Sequence, residues 1–587
     1  MAHIQARTYA SPTLVLLALN WEDAIKHADF LGFAIKRTPG FRDPETRVAS
    51  AFSWLPNRIT FTGAVPKGMP DAPSNQAPIQ KFQWWDNRID DEDLGHTFTY
   101  EVWPCLGSPD VHQPDQLTLL EAAKKIIHVT LPAHVVHGFG SWFNRAVVSS
   151  QAFTRLCEAN GVLAGQKPTP AVAKKLRRWL GNGMEQTVPA FLDEINAGVG
   201  AIYHLTDTDF IIPAFQKNQQ KPLWMVYDAG SSMQGSGGEN PNAGAVAALD
   251  PNIMRTARTH TNIMHNKFIV GGKNKKGKLV PNKIICGSAN YTTQGLTQQA
   301  NVIHTIESEA LANAYLARVN LLLNDPAIKE TKQANTGWIG PVKIGKSTVR
   351  IMFSPESNQN NVQMETIVQA IKGATDSVFF CLFAPTDQKL RDACFDAADR
   401  GLNMLGLVNR IATPKAGEDP ATLNGGELAT LEMFNRARGK RDVIDARYFD
   451  AKNLPAGFEM EMRLFPGDKP PPFPPVIIHH KFIIIDGETN HPTIYTGSAN
   501  MSNNSVHNND ENLLEIKGNR ALAQTYLAEF MRLFEHYRAR AIAIDVKTGA
   551  KPAEKFALKK NFAGWGQKYF VAGSAEQKSR INLAEAI

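Results

Sequence analysis

Two stretches of the chain carry the same reactive side chains at matching places. One opens with His265-Asn266-Lys267, continues through an apolar run and reaches Gly287-Ser288-Ala289-Asn290. The other opens with His479-His480-Lys481 and reaches Gly497-Ser498-Ala499-Asn500. Along an extended strand, side chains alternate between faces. His265 and Lys267 therefore point the same way, and so do His479 and Lys481. The apolar residues after each lysine anchor the strand in a core. In both copies a polar turn after the next strand presents a serine and an asparagine. Each copy thus offers an imidazole, an ammonium and a carboxamide from adjacent strand ends. Two such copies facing each other put two imidazoles on either side of one substrate, ringed by donors.

That set suits in-line displacement at a phosphodiester. One neutral imidazole attacks phosphorus and forms a covalent phosphohistidine. The opposite, protonated imidazole donates to the leaving oxygen, then activates water or an alcohol as a base. Lys267, Lys481, Asn290 and Asn500 stabilise the non-bridging oxygens, where charge develops. Ser288 and Ser498 are expected to bind phosphate or to hold the turn. The lysines supply the positive charge, so no metal or other cofactor is required. Zinc is the competing reading of His479, His480, His491 and His507. No HExxH or Cys/His spacing supports it, and the lysine would repel a cation.

The elements that must position these groups repeat as well. From about residue 133 strands alternate with helices, which predicts an α/β architecture with helices packed on a mixed sheet. In the second half "VRIMFSP" reads as a strand, "VQMETIVQAIKGA" as an amphipathic helix, "SVFFCLFAPTD" as a strand, "QKLRDACFDAADRG" as a helix and "LNMLGLVNR" as a strand. In the first half "MEQTVPAFLDEINAG", "VGAIYHLTDTD", "FIIPAFQKNQQ" and "PLWMVYDAG" follow the same order. Each set leads, after an insertion, into one His/Lys segment, a strand and a long closing helix. The reading is two pseudo-symmetric α/β repeats, residues 133–340 and 341–545, forming one catalytic unit within a single chain, so that no oligomer is required. The first 132 residues show short strand-like runs separated by turn signals, which predicts an all-β sandwich of fibronectin or immunoglobulin type. Trp84, Trp85 and Trp103 are candidates for its core. Residues 546–587 read as a polar, loosely packed tail.

Bulk properties narrow the class without naming a substrate. The 587 residues exceed what one core can hold, and 43% hydrophobic with 20% charged residues is ordinary globular composition. A net charge of +7 suits a phosphate-bearing substrate without demanding nucleic acid. The five cysteines are scattered and form no CxxC pair, as buried thiols in a reducing compartment would be. No apolar run reaches the length of a membrane span, and a cytoplasmic location is expected.

The doubled HxK…GSxN pattern resembles the phospholipase D superfamily, known for HxKxxxxD motifs. The second copy matches in full, with Asp486 as the aspartate and a structural part for it implied. The first copy has Gly272 there, a loss it shares with tyrosyl-DNA phosphodiesterase-like members. Members usually place a carboxylate about ten residues past GSxN, where it orients that half's histidine. Glu511 fills this place in the second half. Aligning "QQANV" with "NDENL" sets Ala300 opposite Glu511. His479 is then expected to have the carboxylate and the higher pKa, which makes it the general acid and His265 the nucleophile.

For the substrate the sequence leans to a phospholipid, with hydrolysis or transfer of the phosphatidyl group and transient contact with a membrane surface. The "FPGDKPPPFPP" stretch before His479 would face a bilayer, and the Gly-rich stretch before His265 would act as a lid. The alternative is a nuclease acting on DNA or RNA. In that reading the basic "GGKNKKGK" tip, Arg255 and Arg258 contact backbone phosphates.

Overall fold

The computed structural model describes residues 3–43, 45–66, 69–107, 117–146, 151–162, 166, 168–229, 240–357, 359–411, 419–440, 442–446, 476–547 and 557–585. The proline-rich stretch before His479 and residues 230–239 of the Gly-rich stretch before His265 lie outside them.

Two large mixed sheets dominate. The first runs Val135–Val136, Phe139–Phe143, Val302–Glu307, Lys278–Gly287, Lys267–Lys275, Ala197–Ile202, Leu223–Asp228 and Met254–Arg258. The second runs Ile339–Ile344, Ser347–Ser354, Asn509–Lys517, Thr493–Gly497, Lys481–Ile485, Ser377–Leu382, Asn403–Val408 and Val443–Asp445. The two orders correspond strand for strand. In each, the strand after the histidine pairs antiparallel with a neighbour on both sides.

The strands read as near-continuous apolar runs because both faces of each sheet are covered. Alternation decides which core each residue joins. In Ser377–Leu382, Phe379 and Cys381 enter the central core, while Val378, Phe380 and Leu382 enter the outer one. The central core joins the inner faces of both sheets to the helices Glu309–Leu322 and Arg520–Lys547. The helices Met184–Glu194 and Ile211–Lys217 cover the outside of the first sheet, and Val362–Lys372 and Gln388–Asp399 that of the second. Among the described residues no helix is long and apolar enough to cross a membrane.

The N-terminal region is β-rich, as expected, but it is not a detached sandwich. Its strands Gln5–Ser11 and Leu14–Asn20 pair with Gln83–Asp86 in one small sheet, and Phe30–Thr38 and Thr97–Leu106 lie in another. Leu14, Leu16 and Ala18 face the central core, while Val15, Leu17 and Leu19 face the N-terminal one. One strand therefore serves two cores. The three tryptophans divide in the same way. Trp84 packs on the N-terminal core and Trp85 on the central one, while Trp103 is buried and donates to Glu121.

The closing residues depart from the expected loose tail. Phe562, Trp565 and Tyr569 join the N-terminal core, and Leu583 and Ala584 join the central one. Their apolar side chains are spaced among polar residues, which hid them from a reading by composition. The Trp565 indole donates to Phe30 O at 3.0 Å, with its ring 5.1 Å from that of Phe30 and 5.7 Å from that of Phe82. Trp565→Ala is expected to cost about 3–5 kcal/mol by leaving a ring-sized void. Chemical denaturation of the full chain measures this, and a midpoint equal to that of the unaltered protein would show the segment to be dispensable.

Candidate active site

Both histidines lie just before their strands, where the chain leaves one half to pair with the other. Ile263–Met264 pairs in parallel with Asn509 and Asp510, and the His265 N–H donates to Asp510 O at 2.9 Å. Reciprocally, Ile478 bridges to Ala300, and the His479 N–H donates to Ala300 O at 3.1 Å. Each histidine is thus fixed by the opposite half's strand. The two imidazoles face each other with centroids 6.4 Å apart, and each residue is about 5% exposed, at 5% for His265 and 6% for His479.

The crossing also changes their partners. Glu511 Oε2 lies 2.9 Å from Nδ1 of His265, not of His479. Nδ1 of His479 lies 3.0 Å from the carboxamide oxygen of Asn301. The expected pairing of Glu511 with His479 is therefore corrected on two counts. The carboxylate reaches across to the other half, and the alignment behind it was off by one residue. The backbone shows the true register. The Val302 N–H donates to Ser288 Oγ and the Asn512 N–H to Ser498 Oγ, so Val302 matches Asn512 and Asn301 matches Glu511.

Glu511 is fully buried. Its other oxygen accepts from Ser505 Oγ at 2.7 Å and from Asn509 Nδ2 at 3.1 Å. Burial pushes this carboxyl up, against the pull of Ser505, Lys267, Asn509 and Lys481. The side chain of Asp510, its neighbour, does not enter the site. It is fully buried between Arg258 and Arg318, at 2.9 and 3.1 Å. Arg258 is buried there and is not available to a nucleic-acid backbone, contrary to expectation. One guanidinium nitrogen of Arg255 donates to the carbonyls of Leu249 and Asp250.

Lys267 and Lys481 are as buried as the histidines. Each donates to the backbone carbonyl of its own histidine at 2.7 Å. Burial lowers both ammonium pKa values, and for Lys267 the facing Lys481 adds to the effect. Burial also holds both imidazoles well below the ordinary histidine range, helped by the two lysines. Aromatic rings wall the site on each side. Tyr203 stands 4.9 Å from His265 and under Lys267, and Phe383 stands 5.6 Å from His479 and under Lys481.

The two Gly-Ser-Ala-Asn turns separate into groups that hold the turn and groups left without a partner among the described residues. A Cβ on Gly287 would meet Val302 O at 2.2 Å, and one on Gly497 would meet Asn512 O at 2.4 Å, so only glycine lets the turn cross its neighbouring strand. Ser288 and Ser498 are fully buried. Ser288 Oγ donates to Asn301 Oδ1 at 2.8 Å, and Ser498 Oγ accepts from Asn512 N at 3.0 Å. They hold the turns, the second of the two parts expected of them, and their burial does not fit the first, substrate binding. By contrast, the carboxamide oxygens of Asn290 and Asn500 have no hydrogen-bond partner among the described residues. Asp486 stands outside the site. One of its carboxylate oxygens accepts the N–H groups of Thr375, Asp376 and Ser377 at 3.1, 2.8 and 3.0 Å, which ties the strand end to its neighbour. At the matching place a Cβ on Gly272 would meet Val280 O at 2.0 Å, which leaves no room for an aspartate side chain.

Sequence reasoning missed Asn301, Tyr203, Phe383 and His204, the last with its ring stacked on Tyr203 at 3.7 Å. The signal for Asn301 was present in the equal spacing from Ser288 to Asn301 and from Ser498 to Glu511.

Among solved structures, the chain is similar to phosphatidylserine synthase from Haemophilus influenzae Rd KW20, at 13% identity over 62% of this chain and 85% of that one, with a TM-score of 0.39. It is also similar to Nuc, a phospholipase D family member from Salmonella typhimurium, at 17% identity over 34% and 95% of the two chains and a TM-score of 0.21. Yeast tyrosyl-DNA phosphodiesterase is similar at 10% identity over 56% and 86%, with a TM-score of 0.31. A comparison with curated proteins finds no match. Residues 367–534 match the family model described as cardiolipin synthase, PLD-like domain. That stretch contains the second His-x-Lys and Gly-Ser-Ala-Asn segments, which makes this part of the chain a PLD-like domain, and counterparts of both segments recur in the first half.

Proposed function

We propose that this enzyme is a metal-independent phosphodiesterase of the phospholipase D type that works through a phosphohistidine on His265. The observation that carries the reading is the pair of buried imidazoles 6.4 Å apart, with a carboxylate on only one of them. Nδ1–H of His265 donates a hydrogen bond to Glu511, which keeps the proton on Nδ1 and leaves Nε2 with a lone pair for phosphorus. Attack forms the P–N bond and breaks the P–O bond to the leaving alcohol. His479 donates its Nε2 proton to that oxygen. Water, or a second alcohol, then attacks phosphorus while His479 takes its proton, and the P–N bond breaks.

Glu511 supports His265 as the nucleophile for a different reason from the one first expected. With both rings held neutral by burial, the carboxylate does not make a resting cation. It fixes the tautomer and offsets the positive charge that phosphorylation creates on the ring. His479, on the neutral Asn301 amide, gains its proton when the substrate anion binds and gives it up readily. Lys267, Lys481, Asn290 and Asn500 surround the non-bridging oxygens.

For the substrate we favour a phospholipid. The matched family model is described by a lipid synthase, and the nucleic-acid contacts expected from sequence weaken on inspection. Arg258 is buried in ion pairs. The basic tip around Lys276 is exposed, which favours a nuclease, but it lies nine residues along its strand from Lys267. That is about 30 Å from the site. Phosphatidylcholine vesicles in EDTA are expected to release choline, with or without transfer to an added alcohol. Single- and double-stranded DNA under the same conditions is expected to remain intact. DNA cleavage that weakens steeply with salt, without choline release, would replace the lipid reading with the nuclease one.

A further inference from the structure

The aromatic walls of the two half-sites match at their first residue and differ at the next. Tyr203 and Phe383 are equivalent, because each donates its backbone N–H to the residue between the histidine and the lysine of its own half, Asn266 at 2.9 Å and His480 at 3.0 Å. The residue after Phe383 is Ala384, whereas the residue after Tyr203 is His204. A third imidazole therefore stands on the His265 side alone.

The segment bearing it is rigidly held. The Asn242 side chain donates to Tyr203 O and accepts from the Leu205 N–H, both at 2.8 Å. The Tyr291 N–H donates to His204 O at 3.0 Å, which sets His204 beside the turn that carries Asn290. Its ring lies flat on Tyr203, whose edge meets His265. The His204 residue is half-buried, and its ring nitrogens have no hydrogen-bond partner among the described residues. Burial, with Lys267 nearby, lowers its pKa to about 4, so the ring is neutral near pH 7 and offers one N–H and one lone pair.

We propose that His204 is a substrate-positioning residue, whose ring N–H donates to an oxygen of the part of the phosphodiester that stays on His265 after the leaving alcohol departs. This rests on the proposed function and adds a polar contact that the second half lacks. In-line attack sends the leaving group towards His479, so the retained ester is the part within reach of the His265 wall.

The test uses the full chain, with bis(4-nitrophenyl) phosphate as the probe. His204→Phe keeps the stacked ring and removes the N–H, while His204→Gln keeps a donor without the ring. A hydrogen bond to a charged group predicts a loss of about tenfold to a hundredfold in kcat/KM for His204→Phe. The loss should fall mostly on KM, because the contact forms before and during reaction alike. His204→Gln should recover most of it. In a His265→Ala background, the Kd of the same diester by calorimetry should weaken by the same factor on adding His204→Phe. Unchanged kcat/KM and Kd in His204→Phe, or equal losses in both variants, would overturn the proposal. His265→Ala and His479→Ala run alongside separate the two failures. If either keeps the normal rate, the proposed function itself fails. If both are inactive in turnover and His204→Phe is normal, only this inference falls.

Discussion

His479→Ala is expected to release one equivalent of 4-nitrophenolate from bis(4-nitrophenyl) phosphate and then stall, whereas His265→Ala releases none. The two imidazoles face each other, but the reading gives them different work. A nitrophenolate leaves without being protonated, so the first step with this probe does not need His479. The second step does, because water must lose a proton as it attacks the phosphohistidine. Steady-state turnover should fall by at least about 10⁴-fold in either variant, since each removes a member of a unit that acts together. The trapped label in His479→Ala should resist alkali, be lost in acid and map to His265. A burst in His265→Ala, with none in His479→Ala, would exchange the two roles. Loss of turnover in neither would remove the histidines from the chemistry altogether.

Glu511→Gln is expected to lower kcat by about 10³-fold, and Asn301→Ala by about tenfold. Both residues contact Nδ1 of a histidine, at 2.9 and 3.0 Å, and only one is charged. Glutamine in place of Glu511 removes the negative charge that offsets the forming phosphoimidazolium. It also allows the amide N–H to face Nδ1, which would place the ring proton on the attacking nitrogen. Asn301 has less to lose, because a neutral acceptor already serves His479. Acid should produce a similar loss in the unaltered enzyme. Burial raises the Glu511 carboxyl, so its charge disappears at a higher pH than for an exposed glutamate, and kcat should decline as pH falls through that value. Rates for the two variants, checked against circular dichroism to confirm folding, decide the matter. A near-normal Glu511→Gln, or a larger effect at Asn301, would mean that the carboxylate does not serve the nucleophile.

Much of the fold was legible because its signals are local and doubled. The apolar run after Lys481, the amphipathic helix at Val362–Lys372 and the alternation along Ser377–Leu382 each report their environment directly. The candidate site groups were legible for the same reason, since His265 with Lys267 and His479 with Lys481 recur in matching surroundings. What escaped was everything that depends on the crossing between halves. Glu511 was found, but it was given to the histidine nearer in sequence, because spacing along a chain does not show which half a strand leans on. Arg258 looked like a free basic residue until Asp510 and Asp325 were seen beside it. Trp565 sits in a polar stretch, and only the distant Phe30 and Phe82 explain it.

The cross-half pairing has a consequence for how the enzyme comes into being. His265 and the glutamate that serves it are 246 positions apart. On the ribosome the first histidine therefore waits, without its carboxylate or its backbone acceptor, until nearly the whole second half has been made. His479 also depends on Ala300 for its backbone acceptor. A nascent or truncated polypeptide carries the reactive imidazole in an unassembled form. On the proposed mechanism, cleavage requires the strand Asn509–Lys517 in its place, so a chain that ends before it lacks the assembled site.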